Sequence, residues 1–117
     1  MATIKRLQPG ARMSEGTVHN GVVYLAGQVA VSGVTDIKGQ VREVLAAIDT
    51  LLAEAGSHKA HILRAQIFLA DLADFPGLNE VWDAWVAPGA TPARATVQAK
   101  LAKPEWKVEI VVTAAVA

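Results

Sequence analysis

The stretch Val108-Glu109-Ile110-Val111-Val112 contains one charged residue in an otherwise apolar run. Side chains of a β-strand alternate between its two faces. Here both faces are apolar, because every second residue from Val108 to Val116 is apolar and Val111 and Ala115 lie between them. A strand of this kind is usually buried on both faces. A lone glutamate within it is costly unless it is paired or used, so Glu109 is a candidate functional residue.

A second informative stretch lies upstream, Thr91-Pro92-Ala93-Arg94-Ala95-Thr96-Val97, where a proline turn leads into a strand. The planar guanidinium of an arginine can bind both oxygens of a carboxylate. By alternation Arg94 and Thr96 share one face, and we expect the alanine and valine that follow them to face the core. If this strand pairs with the last one as a hairpin, Arg94, Thr96 and Glu109 form a polar strip on the sheet face that no helix covers.

Two interpretations of this polar strip fit the spacing. It is either a site for an anionic substrate with an acid or base nearby, or an ordinary cross-strand salt bridge, which contributes little at a surface. The role of Asn79 also has two interpretations. Its amide could point at a ligand, or it is a solvated residue on the face of a helix.

Hydrophobic periodicity and turn signals predict six strands and two helices. Asn20-Gly21 between two β-prone runs is a strong hairpin signal, and Gly27 in the next strand pattern indicates a bulge or a close backbone approach. The predicted strands are Thr3–Leu7, Thr17–His19, Val22–Ala26 with a continuation to Val31, Ile62–Ala70, Arg94–Leu101 and Lys107–Val116. The predicted helices are Gly39–Ala55, which Gly56 ends, and a second one that Asp74 caps and Pro88-Gly89 ends.

The order of these elements predicts an α+β fold, a two-layer sandwich with a mixed β-sheet and two helices on one face. The length of 117 residues corresponds to a single domain over residues 1–117. The second sheet face then has no cover within the chain. Because 52% of the residues are hydrophobic, we expect another subunit to cover that face.

Composition removes several classes of function. The 11 Lys and Arg residues balance the 11 Asp and Glu residues, which argues against nucleic acid as the main partner. Without cysteine, a thiolate nucleophile or a Cys-based metal site is impossible, and His58 and His61 lack a third ligand, so we expect no metal. No phosphate-binding loop or GxSxG elbow is present. A secretory signal and an apolar run of ~20 residues are missing too, so we expect a cytoplasmic protein that does not contact a membrane.

The stretch Pro92-Ala93-Arg94-Ala95-Thr96-Val97, followed by Val108-Glu109-Ile110, resembles the C-terminal signature of the RidA/YjgF/UK114 family of small reactive-intermediate (enamine/imine) deaminases. The resemblance extends to Val23-Tyr24-Leu25-Ala26-Gly27-Gln28-Val29. It also covers Ile67-Phe68-Leu69-Ala70-Asp71-Leu72 with Phe75 and Asn79 beyond it. The match spans nearly the whole chain in order, and it identifies one RidA-like domain.

The resemblance implies a chorismate-mutase-like fold and a homotrimer, with the sheets forming an inner barrel and three sites in the clefts between subunits. Carried over by position, Arg94 binds the substrate carboxylate, and the backbone amide of Thr96 assists. Glu109 positions or activates water, Gly27 lines the pocket and Asn79 supports the site.

The chain differs from the archetypal deaminases at three positions. It has Met13 where they carry a tyrosine, Ala26 where they often carry serine, and Thr96 where they commonly carry cysteine. Met13 thus becomes part of the expected pocket wall without a hydroxyl group.

Two functions follow from the resemblance. The first is hydrolytic deamination of 2-imino or enamine acids, such as 2-iminopropionate and 2-aminoacrylate, to 2-oxo acids and ammonia without a metal or an organic cofactor. The alternative is a non-catalytic trimeric module that binds small carboxylate metabolites.

Overall fold

The computed structural model describes residues 3–116; Met1, Ala2 and Ala117, at the ends of the predicted domain, lie outside them. The predicted α+β architecture is confirmed, with two helices packed on a mixed six-stranded sheet. The strands are β1 (Lys5–Leu7), β2 (Gly16–His19), β3 (Val22–Leu25), β4 (Ile62–Leu69), β5 (Ala93–Gln98) and β6 (Val108–Ala115). The helices are α1 (Ile37–Glu54) and α2 (Phe75–Trp85), and short 3-10 turns lie at Lys59–His61 and Leu72–Asp74.

The sheet order is β1-β2-β3-β6-β4-β5, and every neighbouring pair is antiparallel except β4 and β5. The hairpin predicted for the last two strands is therefore wrong, since β4 lies between them. The reason is the connection between β4 and β5, which runs through α2. A crossover through a helix produces parallel neighbours, whereas a tight hairpin would be needed for antiparallel ones.

The register assigns Arg94 and Thr96 to the face that the helices cover. Arg94 is opposite Ala65 and Thr96 opposite Ile67, and both partners are fully buried in the core. The predicted orientation is thus wrong: the alanine and valine of the ARATV run point to the uncovered face. Because β5 is an edge strand, its helix-facing residues need not enter the core and can be polar.

The helix ends have local causes. α1 begins at Ile37, before the predicted Gly39, because the Asp36 carboxylate accepts a hydrogen bond of 2.8 Å from the Gly39 amide. Gly56 adopts a φ of 78° just past the helix, as the predicted stop requires. Asp74 is the N-cap residue of α2, as predicted, but its side chain makes no capping hydrogen bond. Asp71 instead caps the preceding 3-10 turn.

The core lies between the helices and one face of the sheet. The β6 residues on this face have 0–1% of their surface exposed, and α1 contributes the other large part of the core. Residues 3–116 provide no cover for the opposite face: Tyr24 is 51% exposed and Val97 is 45% exposed, while Phe68 and Val111 are half-buried. No helix within residues 3–116 is long and apolar enough to cross a membrane.

Gln40 on α1 is a buried polar residue, 1% exposed, that joins the helix to the segment before β6. Its amide nitrogen donates to the carbonyl oxygens of Val34 (3.0 Å) and Glu105 (2.9 Å). Its amide oxygen accepts from the backbone N–H of Lys107 at 2.8 Å. One side chain thus satisfies three backbone groups and fixes the entry of the chain into β6.

We expect Gln40→Leu to lower the free energy of unfolding by about 1–3 kcal/mol, because leucine would remove the hydrogen-bond partners of three part-buried backbone groups. Urea denaturation measures this change. The matched control is Gln8→Leu, since the exposed Gln8 amide bonds only to the Glu54 side chain; its effect should stay within about 0.5 kcal/mol. Equal effects of the two substitutions would contradict the role of Gln40.

Candidate functional site

The Arg94 side chain is held by one face of α2. Its Nη2 donates to Oδ1 of Asn79 at 2.8 Å, and its guanidinium carbon lies 5.2 Å from the Trp82 ring centroid and 5.8 Å from that of Phe75. Phe75, Asn79 and Trp82 follow one another at intervals of four and three residues, which places their side chains on the same side of α2. Asn79 is therefore a partner of the arginine and not a solvated surface residue.

Arg94 has no carboxylate partner within the described residues, where the only ion pair joins Lys38 and Glu80. Aromatic faces attract the cation, but they cannot satisfy its N–H groups. A guanidinium has five N–H donors, and only one of them is used in a hydrogen bond to Asn79. The half-buried Arg94 therefore retains both charge and donors for an anion.

Thr96 adds two polar groups beside Arg94. Its Oγ1 is buried and has no hydrogen-bond partner among residues 3–116. Directly after β5, the backbone N–H of Ala99 donates to the Leu69 carbonyl of β4 at 2.9 Å. Because alternate residues of a strand point their N–H groups to opposite sides, the Thr96 N–H points away from β4, off the edge of the sheet.

Glu109 belongs to the other face of the sheet. It is opposite Phe68 and lies between two core residues of β6, so alternation directs its side chain away from the helices. Gly27 is directly beside it: a Cβ added to Gly27 would lie 2.9 Å from Cδ of Glu109, and closer still to its Oε2. Glycine at this position thus provides room for the carboxylate.

The predicted irregularity at Gly27 is confirmed. Tyr24 pairs with Thr113, whereas Gln28 pairs with Ile110, so the register shifts by one residue between the two pairs. The extra residue is on the β3 side, as in a β-bulge. For this reason β3 ends at Leu25 and does not continue to Val31 as predicted, and the backbone bends around Glu109.

A cleft of about 570 Å³ lies beside Glu109. Met13, Gly27 and Glu109 line it together, with Trp106 and residues of α1. The Met13 side chain is 51% exposed and offers a thioether, which is at most a weak acceptor and donates no hydrogen bond. Volumes of this size are typical of small-molecule sites.

The predicted site residues therefore fall into two groups, which we call the Arg94 group (Arg94, Thr96 and Asn79) and the Glu109 group (Glu109, Gly27 and Met13). Arg94 and Glu109 lie on opposite faces of one sheet, with β4 between β5 and β6. The continuous polar strip and the Arg94–Glu109 salt bridge suggested by the spacing are both wrong for a single chain. Trp82 and Phe75 contact Arg94, and nothing in the sequence pattern distinguishes them from the other residues of the apolar stripe of α2.

The described residues contain no group of three His, Cys, Asp or Glu side chains that could hold a metal ion. The rings of His58 and His61 are 6.4 Å apart and meet edge to face. His58 Nδ1 instead accepts a hydrogen bond from the Ala60 amide, which starts the 3-10 turn.

Glu43 of α1 holds the loop that forms one wall of the Glu109 cleft. Its carboxylate accepts from the Ser32 hydroxyl and from the backbone amides of Val31 (2.6 Å) and Ser32 (3.1 Å). The Ser32 hydroxyl, followed by the Val31 amide, lowers the pKa of Glu43 from its ordinary value of 4.5. The wall of the cleft is thus attached to α1 through an ionised carboxylate.

We expect this attachment to be lost in acid. A carboxylate whose folded pKa is lowered contributes stability that is fully present above the unfolded pKa, here about 4.5, and that disappears as the pH falls through the folded pKa. Hydrogen exchange of the Val31 and Ser32 amides, corrected for intrinsic rates, should show protection falling below that pH. Glu43→Gln is the control, because its amide does not titrate; an equal loss of protection in the variant would contradict this role.

Comparison with known proteins places the chain in a family. Residues 3–116 match the family model described as endoribonuclease L-PSP. The chain is 53% identical to a RutC family protein of Haemophilus influenzae over 113 residues, which are 96% of this chain and 97% of that protein. It is 46% identical to the RutC family protein YoaB of Escherichia coli over 114 residues, 97% and 99% of the two chains.

The fold agrees with the sequence comparison. A crystal structure of a YjgF family member from Neisseria meningitidis superposes with a TM-score of 0.96 at 48% identity, covering 98% of this chain and 96% of that one. The resemblance seen in the Arg94 and Glu109 stretches is thereby confirmed. The chain is a member of the YjgF/UK114 family, to which the endoribonuclease L-PSP model and the RutC proteins belong.

Proposed function

We propose that this protein hydrolyses reactive 2-imino acids and their enamine tautomers to 2-oxo acids and ammonia, in clefts between the subunits of a homotrimer. The observation that carries the proposal is the state of Arg94. Its guanidinium is half-buried, held between aromatic rings and Asn79, and without a carboxylate partner among residues 3–116. An arginine prepared in this way binds a substrate carboxylate with two parallel hydrogen bonds.

The proposal requires two chains, because the Arg94 and Glu109 groups lie on opposite faces of the sheet. Two surfaces of the chain suit such an assembly: the apolar sheet face without a helix, and the free edge of β5 that carries Arg94. If the uncovered faces of three copies turn inward, the β5 edge of one copy can approach the β6 face of the next. Each cleft then combines Arg94 from one chain with Glu109 from another.

In such a cleft each residue has a role that its chemistry allows. Arg94 binds the substrate carboxylate, while the Thr96 N–H, which points off the sheet edge, donates a further hydrogen bond to it. Asn79 orients the guanidinium. Glu109 accepts a hydrogen bond from a water molecule and directs it at C2 of the substrate, in the space that Gly27 leaves free.

The reaction then needs one water molecule and no cofactor. The water oxygen forms a bond to C2 of the protonated imine, and Glu109 accepts the released proton. The tetrahedral carbinolamine receives that proton on its nitrogen, the C2–N bond breaks, and ammonia leaves with the electron pair. Glu109 accepts the proton of the C2 hydroxyl as the carbonyl of the 2-oxo acid forms, and it passes this proton to the ammonia, which leaves as ammonium. Since free imines hydrolyse readily, a general acid–base contribution of about 10²–10⁴-fold suffices.

A second function is favoured by Met13. The residue lines the cleft beside Glu109 where the archetypal deaminases have a tyrosine hydroxyl. A cleft with the arginine but without this hydroxyl could bind small carboxylate metabolites without turning over imines. Stabilisation of the protein by 2-oxo acids, combined with no acceleration of imine hydrolysis, would favour this binding module.

The family model is described as an endoribonuclease, but the chain offers little support for nucleic acid as a substrate. Its 11 basic and 11 acidic residues give a formal net charge of zero. Proteins that bind a phosphate backbone generally concentrate positive charge. We therefore retain a small carboxylate as the proposed ligand.

We expect Arg94→Ala to lower kcat/KM for hydrolysis of 2-iminopropionate by about 10-fold to 100-fold, because a bidentate charged hydrogen bond contributes about 1.5–3 kcal/mol. Release of ammonia from imine generated by an amino-acid oxidase measures the rate. Glu109→Gln, which keeps the shape of the side chain, should mainly lower kcat.

Arg42→Ala is the matched control, since this exposed arginine lies in the groove between the two helices and should leave the rate unchanged. If wild-type protein and Arg94→Ala hydrolyse the imine equally fast, the deaminase proposal is wrong.

A further inference from the structure

Trp106, in the segment before β6, forms a wall that two clefts share. The half-buried indole lines the Glu109 cleft and also a second cleft of about 660 Å³. The second cleft lies at the ends of β4 and β5, where Ala70 and Gln98 take part in its lining. The two clefts therefore adjoin at the indole, and we call the second one the lysine cleft.

The lysine cleft is positively charged. Among the described residues that line it, two are basic and none is acidic: Ala70, Gln98, Ala99, Lys100, Leu101, Ala102, Lys103, Pro104 and Trp106. The Lys103 Nζ lies 5.3 Å from the Trp106 ring centroid, which holds the ammonium group on the shared wall. Neither lysine forms an ion pair within residues 3–116.

Glu105, the acidic residue that lines a cleft together with Lys103, does not neutralise this charge. Glu105 lines a separate cleft of about 150 Å³ on another side of Trp106 together with Lys103, but no ion pair joins the two side chains. The ammonium group of Lys103 thus keeps its three donors for a ligand. A three-carbon imino acid has a single carboxylate, which Arg94 binds, and so has no second anionic group for this ammonium group.

We propose that the lysine cleft receives a second anionic group on the side chain of the substrate, so that dicarboxylic 2-imino acids are the preferred substrates. This inference rests on the proposed deamination at Arg94 and Glu109 and specifies its substrate class. The first carboxylate binds Arg94, the reacting carbon lies beside Glu109, and the side-chain carboxylate passes Trp106 to Lys103 and Lys100. Positive charge in a cleft also raises the local concentration of a doubly anionic ligand.

The test compares two imines, 2-iminoglutarate and 2-iminopropionate, formed in situ by oxidases from glutamate and alanine. Wild-type protein should have the higher kcat/KM for 2-iminoglutarate. The double variant Lys100→Gln/Lys103→Gln should lose about tenfold in kcat/KM for 2-iminoglutarate, as expected for one charged hydrogen bond, and should keep its rate on 2-iminopropionate. Lys59→Gln is the matched control, because the Lys59 Nζ lies 5.3 Å from the Trp85 ring in the distant helix groove.

Each result decides the inference. A double variant that loses the same factor on both imines, or on neither, overturns it while the deaminase proposal stands. If wild-type protein accelerates neither imine, the deaminase proposal fails instead. In that case the affinities of the protein for 2-oxoglutarate and pyruvate are measured by calorimetry. If 2-oxoglutarate binds more tightly and the two lysine substitutions remove this difference, the result supports the lysine cleft. Equal affinities of wild-type protein for the two ligands overturn it.

Discussion

The pairing of β4 with β6 is the constraint on which the rest of the structure depends. β6 pairs with β3 on one side and with β4 on the other, and its helix-facing residues are almost fully buried. Once Ile110 is opposite Ile67, the alternation of side chains directs Glu109 to the uncovered face. The same register carried across β4 directs Arg94 to the helix-covered face. The backbone pairing therefore separates the two charged residues that the sequence presents as partners.

In the proposed function, this separation leaves each chain with two half-sites and no complete one. The Arg94 half is rigid, because α2 contributes an amide and two aromatic rings to the guanidinium. The Glu109 half is shaped by a bulge that leaves only hydrogen atoms on Gly27 next to the carboxylate. A second copy of the chain that brings the two halves together would also cover the apolar face of the sheet. In this account, assembly and site formation are the same event.

Much of the fold could be predicted from the sequence, because local signals determine it. The stripes of the two helices, the Asn20-Gly21 turn and the irregularity at Gly27 all depend on residues close together in the chain. The pairing of β5 could not be predicted in this way. In its ARATVQ run polar and apolar residues alternate, which predicts the apolar face as the core face, but the orientation of this edge strand is set by its pairing with β4, which lies far away in sequence.

The candidate site shows the same limit. Arg94 and Glu109 were recognisable as charged residues in unusual places, but their surroundings come from elements remote in sequence. The contact of Trp82 with Arg94 required the position of α2 over the edge of the sheet. The structural role of Gln40 could not be predicted for a similar reason. Its partners Glu105 and Lys107 lie on the segment before β6, and the residues around Gln40 in the sequence do not indicate them.

The central claim is that Arg94 and Glu109 act from different chains, and subunit mixing tests it most directly. Arg94→Ala and Glu109→Gln proteins would be unfolded, mixed in equal amounts and refolded, and imine hydrolysis would then be measured. If neighbouring subunits form each site, half of the chains supply Arg94 and half of their neighbours supply Glu109. About one quarter of the sites then contain both residues, and the mixture should recover about one quarter of the wild-type activity. If the mixture is no more active than the separate variants, both residues act within one chain and the account is wrong.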